Sequence, residues 1–335
     1  MNVGSCAAAV RRGAGLMREL PRSLIHVAGS DRTRWLNSMV TNDVSSLAVG
    51  PADSGRYAAI LSPKGRVIAD LQVLERGDAY WLDVDAAALA IVLETLGRYI
   101  VADDVELADR SADFDRLAVE GPAVFDIVRG LAPGLELLAP DACTDVDLGG
   151  GAVTVARFGW SGETALQFFV PAGTGAVLAD RLLGAGTAAG LVEADGEVLE
   201  TLRIEAGIPR FGAELDESVL PAEAGLERAI AIDKGCYTGQ EVVERMRSQG
   251  QASHRLVGLV AAGEEPFEPG EVLSSEGKSV GEVTSACRSD GIGSIALAFV
   301  RRAFAEPGTR LEVAGRDASV VSLPFVGGSR QRREP

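Results

Sequence analysis

The sequence predicts an α+β protein that ends in a small, all-strand domain. A chain of 335 residues is long enough for two or three domains with a full core. Up to about residue 250, strands alternate with helices and hairpins lie between them, which favours α+β lobes over one doubly wound sheet. Beyond residue 250, short strands follow one another without helices, as in an antiparallel barrel or sandwich. We therefore expect a domain boundary near residues 250–255.

The first third of the chain predicts a sheet covered by helices. Residues 1–22 are small and polar, and we expect them to be peripheral. A strand at 24–27 stops at Gly29, and Ser30 or Asp31 then caps a helix that carries Trp35 on its apolar face. Alternation and turn residues indicate further strands at 55–61, 67–74 and 80–84, and an amphipathic helix at 85–97.

The middle of the chain repeats this alternation. Gly121 and Pro122 begin a helix that runs to Leu131, since proline is tolerated in the first helical turn. The other predicted elements are strands at 114–120, 153–158 and 166–170 and helices at about 174–183 and 197–205. In the last part, strands are predicted at 256–260, 272–273, 279–285, 292–299, 311–313 and 318–323.

Composition and charge restrict the possible partners. The chain is 47% hydrophobic and 24% charged, which is typical of a globular protein, and its net charge of −16 opposes broad nucleic-acid binding. The only dense basic stretch, at 329–333, is expected to be a frayed terminus. The longest apolar run, Ala86 to Leu93, is far shorter than the ~20 residues of a membrane span. We expect no signal peptide, no membrane and no direct nucleic-acid partner.

The cysteines and histidines give no sign of a metal site. The four cysteines lie far apart without a CxxC pair, which excludes a zinc ribbon or a cluster held by local cysteine spacing. They also form no disulfide framework, so a reducing cytoplasm is expected. With only two histidines, a histidine-rich metal site has few available ligands.

The stretch from Asp233 to Glu241 has the features of an exposed, activated thiol on a loop. Cys236 lies between Gly235 and Tyr237, and glycines allow sharp turns and the close approach of a ligand. The ammonium of Lys234 would favour the thiolate, which is the nucleophilic form. The alternative is that Cys236 is a small hydrophobic residue packed near a turn.

Two further positions are candidate site residues. Asp70 lies in an otherwise apolar strand, where a carboxylate is costly unless it has a partner or faces a site; alternatively, it points to solvent by simple alternation. The loop from Gly159 to Glu163 places an aromatic residue, Trp160, and a carboxylate between glycines. This pattern suits a ligand-contacting loop, or else a hairpin turn.

The segment Lys234 to Glu241, KGCYTGQE, resembles the signature of the YgfZ folate-binding family, whose eukaryotic relatives serve mitochondrial iron–sulfur protein maturation. That family is similar to the T-protein of the glycine cleavage system, a tetrahydrofolate-dependent aminomethyltransferase. The resemblance covers nearly the whole chain. It also rests on 29–31, 35–36, 41–43, 203–207, 221–226, 280–285 and 295–298.

The resemblance implies a three-domain ring of the T-protein type: two interwoven α+β lobes at 1–250, a C-terminal antiparallel β-barrel at 255–327 and a tail at 328–335. It also implies that tetrahydrofolate, or a derivative, occupies the central channel. The loop at 157–163 is similar to the T-protein loop whose aromatic residue and glutamate contact the pterin. The residues expected to bind the cofactor are accordingly Trp160, Glu163, Arg203 and Tyr237.

Two positions depart from the T-protein pattern. Ala69 and Asp70 stand where the T-protein has two aspartates, one of which orients the folate amine. The T-protein also has no thiol where this chain has Cys236. Cys236, Asp70 and Lys234 are therefore the expected catalytic residues, and no metal ligand is assigned.

Three functions are compatible with these residues. The leading hypothesis is a tetrahydrofolate-binding protein that supports assembly or repair of iron–sulfur enzymes, and through them tRNA modification, with Cys236 as its reactive group. Its partners would be folate and iron–sulfur enzymes or assembly proteins. The alternative is a tetrahydrofolate-dependent aminomethyltransferase that relies on Asp70. A third is a Cys-His hydrolase, which would need Cys236 and His254 within hydrogen-bond reach.

Overall fold

A computed structural model describes residues 2–148, 151–248, 250, 252–261 and 265–327. The predicted tail at 328–335 lies outside the described residues. The strands before residue 200 are β1 (Ala14–Met17), β2 (Arg22–Ala28), β3 (Gly55–Leu61), β4 (Val67–Glu75), β5 (Tyr80–Asp85), β6 (Glu106–Asp109), β7 (Phe114–Glu120), β8 (Cys143–Asp147), β9 (Ala152–Ala156), β10 (Ala165–Pro171) and β11 (Leu191–Glu193).

The described helices are mostly short. The α-helices are α1 (Val3–Arg12), α2 (Arg32–Met39), α3 (Leu89–Gly97), α4 (Val124–Val128), α5 (Gly175–Gly186), α6 (Gly196–Glu205) and α7 (Gln240–Ser248). Single 3-10 turns lie at Ala86–Ala88, Ser111–Asp113, Leu135–Leu137, Thr187–Ala189, Glu227–Ala229 and Arg302–Phe304.

The first lobe is an antiparallel sheet in the order β3-β4-β5-β2-β6. Because side chains alternate along a strand, β4 directs Leu71 and Val73 to one face and Asp70 and Gln72 to the other. The apolar face packs on α2 and α3, where the core includes Trp35, Leu36, Val92 and Leu96. The polar face is directed toward the second lobe.

The second lobe is a mixed sheet in the order β11-β1-β7-β10-β9-β8, in which only β1 and β11 run parallel. Helices α4 and α5 pack on one face, and α1 and α6 lie on the other. The prediction that residues 1–22 are peripheral was wrong, because α1 and β1 are structural parts of this lobe. Small residues are needed here for close packing: a Cβ at Gly15 would lie 2.8 Å from Val10.

The polar face of the first sheet meets the second sheet. An apolar cluster of Leu24, Leu74, Phe169 and Ala156 joins the two sheets, and the Trp81 ring packs 4.9 Å from that of Phe114. At one end of this contact, polar side chains replace the apolar ones. A cavity opens there.

Residues from His254 onward form a closed antiparallel barrel. Its strands are β12 (His254–Ala261), β13 (Val272–Ser275), β14 (Lys278–Ser289), β15 (Gly293–Arg301), β16 (Arg310–Val313) and β17 (Arg316–Val321), in the order β12-β15-β14-β13-β16-β17. Alternate side chains fill its interior. The predicted fold class, mixed lobes followed by an antiparallel barrel, is confirmed.

Two predicted helices are shorter than expected. The helix predicted at 85–97 begins at Leu89, because Asp85 completes β5 and its carboxylate accepts a hydrogen bond from the N–H of Ala87 at 2.9 Å. The helix predicted from Gly121 is limited to α4. Gly121 has a φ of 147°, which is outside the helical range, and its N–H bonds to the Thr164 carbonyl instead.

Helix α6 connects the barrel to the lobes. The Ser289 hydroxyl of β14 donates to Glu205 Oε1 at 2.6 Å, and both residues are buried. The backbone N–H of Phe325, beyond β17, donates to the Glu205 carbonyl at 2.9 Å. The barrel is therefore attached to the helix that also borders the cavity.

Replacing Ser289 by Ala should destabilise this junction. The substitution leaves one oxygen of the buried Glu205 carboxylate without that donor, which typically costs about 1–3 kcal/mol. Urea denaturation would measure the change in the free energy of unfolding. The control is Ser274→Ala in the same barrel, since the Ser274 hydroxyl makes no hydrogen bond within the described residues. Equal stability of both variants would contradict this account of the junction.

Candidate functional site

The candidate site is a cavity of about 200 Å³ between the two lobes and α6. Strands β2, β4 and β5 supply one wall, the loop between β9 and β10 a second, and α6 with the turn after it a third. The lining residues are Leu20, Pro21, Arg22, Asp70, Asp85, Trp160, Gly196, Leu199, Glu200, Arg203, Pro209, Arg210 and Phe211. Three predicted site residues, Asp70, Trp160 and Arg203, thus meet in one cavity.

Asp70 is a buried carboxyl group and is only 8% exposed. The interpretation that it points to solvent was wrong, because this face of the sheet meets the second lobe. Tyr57 on the adjacent strand donates its hydroxyl to Asp70 Oδ2 at 2.9 Å. Burial raises the pKa of Asp70, although the positive charge of Arg22 and the Tyr57 hydrogen bond act in the opposite direction. Such a group can exchange a proton near neutral pH more readily than an ordinary aspartate.

Trp160 is held in the cavity wall by its loop and by its neighbours. The backbone N–H groups of Trp160 and Ser161 donate to Glu120 Oε2 at 3.1 and 2.8 Å, which fixes the loop on β7. The Arg22 guanidinium lies 4.7 Å from the centre of the Trp160 ring, and Phe158 meets it edge-on. The loop is both a hairpin connection and a part of the cavity.

Glu163, in the same loop, does not line the cavity. Its carboxylate is 1% exposed and pairs with Arg11 Nη1 of α1 at 3.1 Å. Arg11 also donates to Glu205 at 3.0 Å, so it links this loop to α6. The pterin-contacting role of Glu163 stays a prediction, and the contacts observed here are structural.

Arg203 lines the cavity with its donors already engaged. Five hydrogen bonds from its guanidinium go to Glu200 (twice), Glu214, Ser285 and the Ile208 carbonyl. A guanidinium has five N–H donors in total. Arg203 therefore shapes the cavity and connects it with the barrel. Its folate contact also stays a prediction.

A buried ion cluster, not anticipated from the sequence, lies behind the cavity wall. Asp83 is fully buried, and its carboxylate accepts from Arg22 Nε at 2.7 Å and pairs with Arg116 Nη1 at 2.6 Å. Burial lowers the pKa of Arg116, whose guanidinium lies 3.8 Å from the centre of the Phe169 ring. The sequence signal was the alternation of Asp83 and Asp85 in β5, which puts both on the same face.

The Cys236 loop lies apart from the cavity. Cys236 is exposed, and the residues from Asp233 to Glu241 are all absent from the lining. Lys234 Nζ donates to the carbonyls of Asn37, Val40 and Asn42 at 2.6, 2.6 and 2.7 Å, at the end of α2. Burial lowers the pKa of Lys234 to about 8, against the charge of Asp43. The ammonium therefore fastens the loop to α2.

Tyr237 and Gly239 complete this attachment. Tyr237 is 6% exposed and packs in an apolar cluster with Leu61, Val67 and Val219, and burial raises its pKa to about 12. Its predicted stacking on a ligand stays a prediction. Gly239 has a φ of 83°, and a Cβ there would lie 2.7 Å from the Ser62 carbonyl oxygen, so only glycine fits.

The other thiols and the second histidine do not extend the site. Cys6 and Cys143 are buried, and burial raises the pKa of Cys287 to about 12. His254 contacts Ser253 and Glu223, and within the described ranges no hydrogen bond joins it to Cys236, which leaves the hydrolase hypothesis without support. Across the same ranges, no cluster of acidic, cysteine or histidine side chains could hold a metal ion, and no helix has the length and apolar character to cross a membrane.

Comparison with known families covers almost the whole chain. Residues 2–234 match the GCVT N-terminal domain, and residues 254–326 match the glycine cleavage T-protein C-terminal barrel domain. The chain belongs to the glycine cleavage T-protein family. The narrower resemblance to the YgfZ family is a prediction that these matches do not test.

Relatives within the T-protein family are similar over most of their length. An aminomethyltransferase of Bacillus subtilis is 31% identical, with 95% of this chain and 89% of the relative covered. One of Cutibacterium acnes is 34% identical, with 95% and 88% covered. The crystal structure of glycine cleavage system aminomethyltransferase T from Bartonella henselae has the same fold, with a TM-score of 0.86, 24% identity and coverage of 97% and 90%.

Removing the Tyr57 hydroxyl should raise the pKa of Asp70 further. A hydrogen bond to a carboxylate is worth about 1.5–3 kcal/mol, so Tyr57→Phe should move the titration midpoint up by about one to two pH units. The midpoint can be followed by 13C NMR of the labelled Asp70 carboxyl group. Tyr80→Phe, which alters a buried tyrosine on the opposite face of the same sheet, should leave it unchanged. A downward shift in Tyr57→Phe would contradict the assigned contact.

Proposed function

We propose that this protein binds tetrahydrofolate, or a derivative, in the cavity between its lobes and transfers a one-carbon unit in the manner of an aminomethyltransferase. The single observation that carries this proposal is the buried Asp70 carboxyl group, which faces the cavity beside Trp160. Similarity over most of the chain to proteins named aminomethyltransferase supports it. Three residues inferred from the T-protein resemblance meet in this one cavity.

The chemistry of the cavity lining fits a reduced pterin. Carboxylates at Asp70, Asp85 and Glu200 can accept hydrogen bonds from the amino and ring N–H groups of a pterin, and Trp160 and Phe211 add aromatic surface. The volume of about 200 Å³ is below the roughly 300–1,000 Å³ common for small-molecule sites, so it suits a ring system rather than the whole molecule. A second, open cavity of about 750 Å³ shares Leu20, Pro21 and Gly196 with it and leaves room for the remainder.

Asp70 is the residue that would exchange a proton with the bound folate. When bound, tetrahydrofolate supplies the nitrogen that accepts the one-carbon unit. Asp70 would accept a hydrogen bond from, or exchange a proton with, a nitrogen held in the cavity, and the burial that raises its pKa brings this exchange closer to neutral pH. Tyr57 would orient the carboxyl group, and the rigid loop at Trp160 would keep water from one side of the cavity.

Replacing Asp70 by Asn should abolish turnover while folate still binds. Loss of a general acid or base typically lowers kcat by about 10²–10⁴-fold. The assay is the transfer of an aminomethyl group to tetrahydrofolate by purified protein, with folate binding followed by calorimetry. The control is Asp78→Asn, which removes the same charge from an exposed residue in the turn between β4 and β5.

The melting temperature provides a check on folding. Because burial raises the folded-state pKa of Asp70, ionisation of this group opposes folding once the pH exceeds the usual carboxyl value of about 4. At pH 7.5, Asp70→Asn should therefore melt at the same or a higher temperature than the wild type. Tight folate binding without any turnover in the wild type would rule out the transferase.

A second function is favoured by the placement of Cys236. We propose, as the competing assignment, that the folate-loaded protein supports assembly or repair of iron–sulfur enzymes through this thiol. The observation that favours it is that Cys236 is exposed, outside the cavity lining, on a loop that half-buried Lys234 and buried Tyr237 attach to the first lobe. A thiol in this position is accessible to a macromolecular partner. One thiolate is too few ligands to hold a cluster, so its role would be transient.

Replacing Cys236 by Ala distinguishes the two assignments. If the thiol serves iron–sulfur enzymes, the variant should keep its fold and folate affinity, and cells that depend on it should lose the activity of those enzymes. The control is Cys287→Ala, which removes a half-buried thiol of the barrel. Normal iron–sulfur enzyme activity with Cys236→Ala, together with transferase turnover in vitro, would exclude the role of the thiol. The aminomethyltransferase assignment would then be the one that remains.

A further inference from the structure

The segment that follows α2 covers the free edge of the first sheet, where β3 is the last strand. The N–H of Thr41 donates to the Ala59 carbonyl at 2.9 Å, and the N–H of Ala59 donates to the Thr41 hydroxyl at 2.8 Å. The side-chain amide of Asn42 donates to the Tyr57 carbonyl at 2.8 Å. The segment thus satisfies backbone groups of β3 that have no partner strand on this side.

The amide of Asn42 ties β3 to a second part of the chain. Its Nδ2 also donates to the Arg228 carbonyl at 3.2 Å, in the 3-10 turn at Glu227–Ala229. Both N–H donors of the amide are therefore used by carbonyl groups, which fixes its orientation. The Thr41 hydroxyl donates to the carbonyl at the end of the same turn at 2.6 Å and strengthens the attachment.

Tyr57 and Arg228 extend this attachment to the carboxyl group of the cavity. The Arg228 guanidinium lies 5.0 Å from the centre of the Tyr57 ring, and the Tyr57 hydroxyl donates to Asp70 Oδ2 at 2.9 Å. The guanidinium also lies 3.9 Å from Asp141, but an exposed ion pair of this length contributes little. Asn42 therefore holds both the backbone that carries the Tyr57 ring and the turn that carries the cation above it.

Asn42 also contacts the Cys236 loop. Its backbone carbonyl is one of the three that accept hydrogen bonds from Lys234, two residues before Cys236. The N–H of Ala231 donates to the Thr41 carbonyl at 3.1 Å, so the chain that leads to the loop is held as well. The cavity carboxyl group and the exposed thiol, which belong to the two competing assignments, are thus connected through one short segment.

We propose that Asn42 is a positioning residue that keeps the Tyr57 hydroxyl on Asp70. Through the same contacts, it couples this hydrogen bond to the order of the Cys236 loop, and such coupling is reciprocal. Within the described residues, Asn42 bonds to neither Asp70 nor Cys236, so it acts through the backbone of Tyr57 and the turn at Arg228. The connection rests on these contacts alone, and only its use in catalysis rests on the proposed function.

The first test is a 13C NMR titration of the labelled Asp70 carboxyl group in Asn42→Ala, without folate. A less firmly held Tyr57 donates a weaker hydrogen bond to the carboxylate, so the midpoint should rise by about half a pH unit or more. Arg22 and Asp85, whose charges also act on Asp70, are unchanged in this variant. In a Tyr57→Phe background, Asn42→Ala should cause no further shift, because the hydroxyl through which it acts is absent.

Two further variants support this titration. Asn42→Ser, a milder change that keeps one hydrogen-bond donor, should shift the midpoint in the same direction by less, and it replaces Asn42→Ala if that variant does not fold. The control is Asn37→Ala near the end of α2. The Asn37 side chain accepts from the N–H of Val44 and, within the described residues, makes no hydrogen bond to β3 or to the turn at 227–229. Asn37→Ala should leave the Asp70 midpoint unchanged.

The second test is amide hydrogen exchange of residues 233–241 in the same proteins. In Asn42→Ala, these amides should exchange at least about twofold faster, because the carbonyl that holds Lys234 has lost its own anchor. Tyr57→Phe should also speed their exchange, since coupling acts in both directions. Asn37→Ala should exchange at the wild-type rate.

Two results would overturn the proposal. One is an Asp70 midpoint that is unchanged or lower in the Asn42 variants, or that shifts equally in the Tyr57→Phe background. The other is wild-type exchange of residues 233–241 in both Asn42→Ala and Tyr57→Phe. Since no folate is present, failure here leaves the folate proposal standing, and failure of folate to bind leaves the connection standing.

Discussion

The structure depends on the burial of Asp83 between two arginines. Arg22 comes from β2 beside it in the first sheet, and Arg116 comes from β7 in the second, so one carboxylate joins both lobes. A buried carboxylate is tolerated only when paired, and loss of either partner leaves an uncompensated charge. The same Arg22 lies over the ring of Trp160 and borders the cavity. The contact between the lobes and the shape of the site thus have a common origin.

The barrel is attached to this arrangement through α6 rather than by a linker alone. Arg203 and Glu205 reach the barrel at Ser285 and Ser289, two residues of β14 four positions apart. The Glu205 carboxylate also accepts a hydrogen bond from Arg11 of α1. The N-terminal helix, the helix that borders the cavity and the barrel are therefore in contact at this carboxylate. The two lobes and the barrel each have their own apolar core, and the candidate cavity lies between the lobes and α6.

Much of the fold was predictable because most of it follows local patterns. Strands such as β3 and β7 were placed at their observed bounds from alternation and turn residues, and the barrel from regularly spaced short strands. Residues 1–22 were misjudged because small side chains fit both a peripheral segment and a tightly packed one. Only tertiary contacts, such as Gly15 against Val10, distinguish the two.

The candidate site was predictable to a lesser extent. Asp70, Trp160 and Arg203 were recognised from motif resemblance and do meet in the cavity. Tyr57, Asp85 and Arg22 were missed, because their importance arises from cross-strand register, which pairs residues far apart in sequence. The three backbone carbonyls that accept hydrogen bonds from Lys234 were not anticipated, and the expected effect of this ammonium on the Cys236 thiol stays a prediction. A lysine beside a cysteine in sequence does not reveal which group its charge serves.

The guanidinium of Arg203 already donates five hydrogen bonds, and this affects how a ligand could bind beside it. A ligand that recruits any of its N–H groups must take that donor from Glu200, Glu214, the Ile208 carbonyl or the barrel serine. Ligand binding in the cavity would then be coupled to the contact between α6 and the barrel, and such coupling is reciprocal. A ligand that takes a donor from Ser285 would weaken the contact between α6 and the barrel. A partner that binds the barrel and stabilises this contact would in turn lower the affinity of the cavity for that ligand.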